Sequence, residues 1–561
     1  MGPSGAGKST FLDAICGRSS AAGEVTINGS TEFSTQELFS FVEQDDALLG
    51  VLTVRETVAF AARLSLGSSY PGLDRHIDDT LRSLGLQDIA ANKIGTPLQR
   101  GISGGQKRRV TIAQSIVTKP SILVLDEPTS GLDASSSREV VSFLRHLAHE
   151  QGLLVICTIH QPNFETFSLF DNLLVLAGGF TMFNGPVSEL DSYLASIGSP
   201  TPKFVNPADH VIQLVNTEFM KPGSEHRSAL EHLAHYSELW SAHASEKPRD
   251  DAGGHLDLAN SAHLYGRRRG AAARVASNLR KLIVLMHRNL INYSRNLLAY
   301  GIRLAMYSGM ALLLATIWIH LGYEAEKIND RLSVSFFSVA FLGFMSVAGI
   351  PSFLEERSVF IRERRNGLYG SGVYVVAQSV ISVPFLFLCS LVFSLIIYWS
   401  IGMNPGATHF FRFLVYLFLA LYTAESQSLL VAAIFPLFVA ALAIASFANG
   451  LWMCNMGYFI RTTSLPRFWF YLVHWIDYQT YSFNLLVKND FTGRTLACRT
   501  IQGVCSCPIP SSLTPQQCAL TGDDVVRDLN ISGTEGFSVG ILVLILVVYR
   551  VLFYVALRLR K

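Results

Sequence analysis

The run Gly2-Pro3-Ser4-Gly5-Ala6-Gly7-Lys8-Ser9-Thr10 constrains this chain more than any other nine residues. It fits G-x-x-x-x-G-K-[ST], a loop whose backbone N–H groups cradle phosphates. The lysine reaches the β- and γ-oxygens, and the hydroxyl after it ligates Mg²⁺. Such a loop joins a buried strand to a helix and so commits its surroundings to an α/β sheet. Here the chain opens on the loop. The strand expected before Gly2 and any adenine-stacking residue are missing, and the reading is of an N-terminally truncated form.

With 561 residues the chain exceeds a single core, and about two to four domains are expected at this length. Hydrophobic residues make up 49% and charged residues 16%, against about 25% charged in soluble domains, so part of the chain faces lipid. Apolar stretches at about 301–321, 332–353, 373–400, 411–431, 433–456 and 536–557 each approach the roughly 20 residues that cross a bilayer core. The net charge of +2 leaves no basic face for nucleic acid.

Six crossings place both chain ends on one side. Arg357, Arg362, Arg364 and Arg365 between spans two and three, with Arg558, Arg560 and Lys561 after span six, mark that side as the one holding the nucleotide domain. The segment at about 461–533 is then exterior. It carries Cys498, Cys505, Cys507 and Cys518 and the glycosylation pattern Asn530-Ile531-Ser532. That crowding indicates an oxidising compartment. Cys505 and Cys507 are poor partners for each other, since one intervening residue rarely allows disulfide geometry. Cys498 or Cys518 must therefore be used, with three fully paired connectivities open.

Residues 1–215 read as an α/β unit with a helix from Lys8 to about Arg18. A strand is expected at Glu24-Val25-Thr26-Ile27, and buried strands at Ile122-Leu123-Val124-Leu125 and Leu153-Leu154-Val155-Ile156. Residues 216–272 are a polar linker, including 248–254 and the arginines at 267–269. Over 273–298, Leu279, Leu282, Ile283, Met286 and Leu290 recur at helical spacing among Arg280, Lys281, Arg288 and Arg295. A helix lying along a membrane surface requires that pattern, although an amphipathic helix packed on a soluble domain shares it. Residues 299–561 form the six-span domain.

Asp126 and Glu127 follow the apolar run ending at Leu125. In phosphoryl-transfer sites such an Asp holds Mg²⁺ through water and the neighbouring carboxylate activates the attacking water. Alone the pair also suits a helix N-terminus, but Pro128-Thr129-Ser130-Gly131-Leu132-Asp133 follows it. Gln44 is a candidate ligand for Mg²⁺ or the water. His160, before Gln161-Pro162, is a candidate γ-phosphate contact or a structural histidine.

Taken in order, the phosphate loop, Gln44, Ser103-Gly104-Gly105-Gln106, Asp126-Glu127, Asp133 and His160 resemble the ATPase domain of ABC transporters over nearly all of residues 1–215. A nucleotide domain ahead of six spans resembles subfamily G, the white-type half-transporters. Local marks agree: His160-Gln161-Pro162, Asn206-Pro207-Ala208-Asp209, Glu363-Arg364 before Tyr369, Asn449-Gly450 with Trp452, Leu465-Pro466 with Trp469, and Asn489-Asp490-Phe491 ahead of Cys498. Gln106 departs from the Glu that many members carry.

The fold class implied is an α/β P-loop NTPase (ABC ATPase) domain followed by an all-α six-helix transmembrane domain. The resemblance implies ATP and Mg²⁺ as cofactors and two chains facing head to tail. Each ATP then lies between Gly2, Pro3, Ser4, Gly5, Ala6, Gly7, Lys8, Ser9 and Thr10 of one chain and Ser103, Gly104, Gly105, Gln106 and Asp133 of the other. Ser9, Gln44 and Asp126, the last through water, are the implied magnesium residues, and Glu127, His160 and Gln44 the catalytic ones. The implied function is export of a lipid-like or amphipathic substrate by a homodimer, or by a heterodimer with a related half-transporter. The alternative is a non-transporting or regulatory subunit paired with a full-length one. Membrane lipids are expected partners, the plasma membrane the expected location, and the nucleotide domain cytoplasmic. The family also allows one exterior cysteine to bridge protomers.

Glu425 inside the fourth span reads either as a polar clamp between helices or as a substrate contact. Arg303 and Arg550 are expected to snorkel toward the cytosolic surface. Phe435, Phe438 and Phe447 either face lipid or line a slot between protomers.

Overall fold

The computed structural model describes residues 1–19, 23–31, 38–96, 99–216, 224–246, 271–501, 504–511, 513, 517–531 and 533–560. It divides into two compact units, Met1–Val284 with Val359–Gly370, and Leu285–Ser358 with Ser371–Lys561.

The first unit is organised by a parallel sheet of β1 (Phe39–Val42), β2 (Ile122–Leu125) and β3 (Leu154–Cys157), in that spatial order, with Val42, Leu125 and Cys157 in register. The runs Phe39-Ser40-Phe41-Val42, apolar but for one serine, and Ile122-Leu123-Val124-Leu125, apolar throughout, suit strands buried on both faces, and both are buried along their length. Alternation divides them. Phe39, Phe41, Ile122 and Val124 pack with Leu12 of α1 (Lys8–Ile15) and with Cys16 just after it. Val42, Leu123 and Leu125 pack with Val110, Ile112 and Ala113 of α2 (Gly104–Ile116) and Val140, Leu144 and Leu147 of α3 (Ala134–Gln151).

Three local expectations change. The strand expected over residues 24–27 does not form: only Ile27 bridges, to Ser30, around Asn28-Gly29 at φ 51° and 77°. Asn-Gly is a strong turn pair, and this turn takes up the end of the run. The first helix stops at Ile15, with Gly17 at φ 64° closing it short of Arg18. The polar linker contains α4 (Ser224–Glu246), whose Leu233, Tyr236 and Trp240 pack on the antiparallel hairpin β4 (Asn172–Ala177) and β5 (Phe180–Pro186). Trp240 lies 5.0 Å from Phe183 and 5.3 Å from Tyr193. Three apolar residues among many polar ones suffice for a helix once a hairpin covers them. Residues 248–254 and 267–269, Ser532 and Lys561 lie outside the described residues.

α5 (Ala271–Arg295) is divided between the two units. Val275, Leu279, Ile283 and Leu290 are exposed, while Arg288, Asn289 and Asn292 are buried. Asn292 donates to Glu356 Oε1 (2.7 Å) and Asn289 to Gln378 Oε1 (3.3 Å).

Among the described residues, six helices in the second part of the chain are long and apolar enough to cross a membrane: Ala299–Ile317, Ala325–Arg365, Ser371–Ile401, Ala407–Ile434, Phe438–Asn455 and Glu535–Leu559. The second has 41 residues, or about 60 Å at 1.5 Å per residue, twice a hydrocarbon core of roughly 30 Å. Its end accordingly belongs to the first unit, which also holds Val359–Gly370. The fourth packs against the second, third, fifth and sixth. Its run Thr423-Ala424-Glu425-Ser426-Gln427-Ser428 is buried throughout, and a polar run of that density is tolerated in a membrane only where protein covers it.

After the fifth span, α6 (Tyr478–Phe491) is almost wholly buried. Its Asp490 pairs with fully buried Arg331 at 2.9 Å. Beyond it Thr495–Ala497 pairs with Ala519–Thr521 and Arg499–Ile501 with Val504–Ser506. Disulfides join Cys498 to Cys507 and Cys505 to Cys518, with Cα separations of 5.2 and 5.5 Å. All four clustered cysteines are thus paired within the chain, through both Cys498 and Cys518. Asn530 is exposed at φ 55°.

Candidate active site

Parallel pairing brings the carboxyl ends of β1 and β2 side by side, which is where open α/β sheets bind ligands. Glu43-Gln44 leaves one strand and Asp126-Glu127 the other, and the Asp126 N–H donates to Val42 O at 2.9 Å. Gln44 Nε2 donates to Glu127 Oε2 at 2.9 Å. Asp126 is buried and accepts from Thr158 Oγ1 at 2.6 Å, and the same hydroxyl oxygen accepts the Glu127 N–H at 2.8 Å. Glu127 has φ 45°, a conformation that persists in a non-glycine residue only when its surroundings impose it.

The phosphate-loop sequence ends on Gly7 (φ 90°), which starts α1 from a left-handed conformation. A Cβ added at Gly5 or Gly7 would enter open space, so the loop keeps a concave side free of side chains. Gly2 is required for packing, because a Cβ there would lie 2.1 Å from Leu176 O. The Lys8 ammonium is buried and donates to Gly2 O (2.8 Å) and Pro3 O (2.9 Å); Ser9 and Thr10 are exposed. Loop N–H groups, the positive end of α1, a cation and an exposed hydroxyl fit a nucleotide's phosphates. Gln44 and Asp126 supply oxygens of the kind Mg²⁺ takes.

A second group of residues lies around α2. Ser103 and Gln106 form a reciprocal capping box, Gln106 N–H to Ser103 Oγ at 3.3 Å and Ser103 N–H to Gln106 Oε1 at 2.9 Å. Gly104 meets nothing with an added Cβ. A Cβ on Gly105 would meet Leu132 and Ser136 at 3.6 Å, so the turn carrying Asp133 lies against this helix start. Asp133 caps α3, accepting from Ser136 N–H (2.8 Å) and Oγ–H (2.9 Å). The Ser136 N–H holds its carboxyl below the usual range. His160 is exposed on the bend after β3, two residues beyond Thr158.

Two residues that sequence reasoning did not single out tie this geometry together. Thr158 bridges Asp126 and Glu127, and buried Arg108 donates from α2 to the loops after β1 and β2. Arg108 sits in Lys107-Arg108-Arg109, where nothing in the sequence separates it from solvated neighbours.

In the second unit, Arg303 donates to Glu425 Oε2 at 2.5 Å with both side chains buried. Arg303 therefore does not snorkel. A buried carboxylate supplies the counter-charge that water would otherwise provide, and the clamp reading of Glu425 gains a named partner. Arg550 does not snorkel either: its guanidinium nitrogens are buried, and its Cζ lies over the Tyr422 ring, 4.8 Å from the centroid. Phe435, Phe438 and Phe447 are exposed.

A family model described as "ABC transporter" matches residues 1–130, and models described as "ABC-2 type transporter" match residues 280–491 and 160–248. The chain is 34% identical over 566 residues to ABC transporter G family member 1 of Petunia hybrida, covering 99% of this chain and 85% of the relative. It is 32% identical to G family member 11 of Arabidopsis thaliana, covering 100% and 80%. For G family member 22 of Dictyostelium discoideum the identity is 31%, covering 95% and 84%. The chain belongs to the ABC transporter G family of white-type half-transporters, an integral membrane ATPase that couples ATP hydrolysis to transport.

Proposed function

We propose that this chain exports a lipid-like or amphipathic compound as a dimer of half-transporters, its nucleotide unit cytoplasmic in the plasma membrane. The observation that carries the hydrolytic part is the joined end of β1 and β2, where Gln44, Asp126 and Glu127 meet through hydrogen bonds of 2.6–2.9 Å. Gly2 to Thr10 hold the phosphates, with Lys8 on the terminal oxygens and Ser9, Gln44 and Asp126 holding Mg²⁺. Bound MgATP supplies the phosphoryl group whose transfer to water releases the free energy for transport. Glu127 orients the attacking water and takes its proton, and His160 donates toward the γ-phosphate. Ser103, Gly104, Gly105, Gln106 and Asp133 serve the nucleotide held by the partner. Each chain thus supplies half of each site, and a homodimer owns two complete sites.

The test is hydrolysis and vesicle uptake by the purified, reconstituted chain. Glu127→Gln keeps nucleotide binding and lowers turnover by about 10²–10⁴-fold, the range for a lost general base. Near-normal turnover in that variant sinks the assignment. A chain silent alone and active only with a related half-transporter identifies the heterodimer.

A further inference from the structure

Arg108 lies five residues beyond Ser103 on α2, and its side chain is 3% exposed. Its three nitrogens reach both loops of the hydrolytic site. Nη1 donates to Glu43 O (2.6 Å) and Gln44 O (3.1 Å) and lies 3.2 Å from Asp46 Oδ1. Nη2 donates to Asp126 O (2.8 Å) and Nε to Pro128 O (3.3 Å). The carbonyls at and before Gln44, and those on either side of Glu127, therefore converge on one planar cation. Among side-chain types, only arginine offers that geometry. A guanidinium holds its donors in a rigid fork, whereas an ammonium is a point charge on a flexible stem that cannot span two loops. Burial of the cation also makes the contacts obligatory, since a desolvated charge without acceptors is costly.

The side-chain geometry of the site rests on this backbone. Gln44 Nε2 reaches Glu127 Oε2 across the two loops that Arg108 joins, while Thr158, after β3, holds Asp126 from the other side. We propose that Arg108 is a positioning residue for hydrolysis: it sets the distance between Gln44 and the Asp126-Glu127 carboxylates, and so the fit of the Mg²⁺ site and the activated water. The proposal rests on the reading of Gln44 and Asp126 as magnesium residues. Arg108 itself reaches nucleotide only through them, so binding of the phosphates by the loop at Gly2 to Thr10 stands apart from it.

The experiment uses the whole chain reconstituted in nanodiscs, with ATPase rates titrated against Mg²⁺ at saturating ATP and binding of a fluorescent ATP analogue measured in EDTA. Arg108→Lys lowers kcat by about 10–100-fold and raises the half-saturating Mg²⁺ concentration by roughly 5–10-fold, while metal-free binding stays within about 2-fold. The loss is not additive with Gln44→Ala: the double variant is within about 3-fold of the slower single one, because both act through one element. Asp46→Asn, which removes only the ion pair, shows the same pattern at about 2–5-fold. A folded Arg108→Lys with wild-type kcat and Mg²⁺ dependence overturns the proposal, as does a loss that multiplies fully with Gln44→Ala. If Arg108→Lys does not fold, Asp46→Asn decides alone, and unchanged Mg²⁺ dependence in it overturns the proposal. Mg²⁺ dependence indifferent to Gln44→Ala itself overturns the magnesium reading, and with it the proposal.

Discussion

Thr158 shows how much of a catalytic geometry one hydroxyl carries. It gives its proton to Asp126 and accepts the N–H of Glu127, the residue held at φ 45°. Holding a non-glycine residue in that region costs about 1–3 kcal/mol, which surrounding contacts must offset. Thr158→Val keeps the shape but leaves a buried acceptor and an N–H unpaired, a loss of roughly 1–3 kcal/mol. Turnover should fall about 10-fold, less than the roughly 10²–10⁴-fold of a lost catalytic base, because Glu127 itself remains. Thr158→Ser keeps the hydroxyl and should remain near wild type. Steady-state kinetics of the two decide it, and a Val variant as active as the Ser variant removes Thr158 from the machinery.

Among the elements, α6 is almost wholly buried, and its start is unusual for carrying a carboxyl with no exposure. Asp477 accepts from the Gln479 N–H (2.8 Å) and Thr480 Oγ (2.9 Å), capping the helix. Loss of water pushes its pKa up to about 8, opposed by those hydrogen bonds. A folded-state pKa above the unfolded one means stability is fully present below the ordinary carboxylate range and is lost as pH rises through about 8. The detergent-solubilised protein should therefore show a melting temperature that declines from pH 5 to pH 9. Asp477→Asn retains an oxygen for the cap and removes the proton equilibrium, so the decline should flatten. Equal pH slopes in both proteins would refute this account of the cap.

At the scale of the molecule, the long second span ends in a segment that belongs to the nucleotide unit. There Asn366 Oδ1 accepts the Phe41 N–H (3.1 Å) and its Nδ2 donates to Phe41 O (3.0 Å), while Arg365 pairs with Glu43 at 2.9 Å. The edge of β1 leading to Gln44 is thereby held by residues continuous with a membrane helix. The proposed head-to-tail dimer gives a separate test. Lys8→Ala disables the loop half of both sites, and Ser103→Arg disables the other half of both. Each homodimer should be inactive, whereas co-expressed chains form mixed dimers with one intact site and recover a measurable fraction of the ATPase rate. No recovery, with mixed dimers verified by tandem affinity tags, would exclude shared sites.

The ATP-site motifs and the six spans were legible because each rests on a local requirement. Phosphate binding demands glycines, a lysine and a hydroxyl at fixed spacing, and a bilayer demands about 20 apolar residues in succession. The stop of the first helix at Gly17 and the turn at Asn28-Gly29 rest on local glycine signals that outweighed the apolar pattern around them, whereas the helix within the linker depended on a hairpin that spacing alone did not name. Cysteine clustering indicated disulfides, but the pairing of Cys498 with Cys507 and Cys505 with Cys518 emerged from two short antiparallel sheets. Arg303 and Glu425 stand 122 residues apart, and Arg331 and Asp490 159 apart. Sequence alone determined that such charges in or beside apolar spans need compensation. Whether water or a partner supplies it was decided only by tertiary packing, because desolvation is a property of one residue while a counter-charge depends on which helix lies opposite.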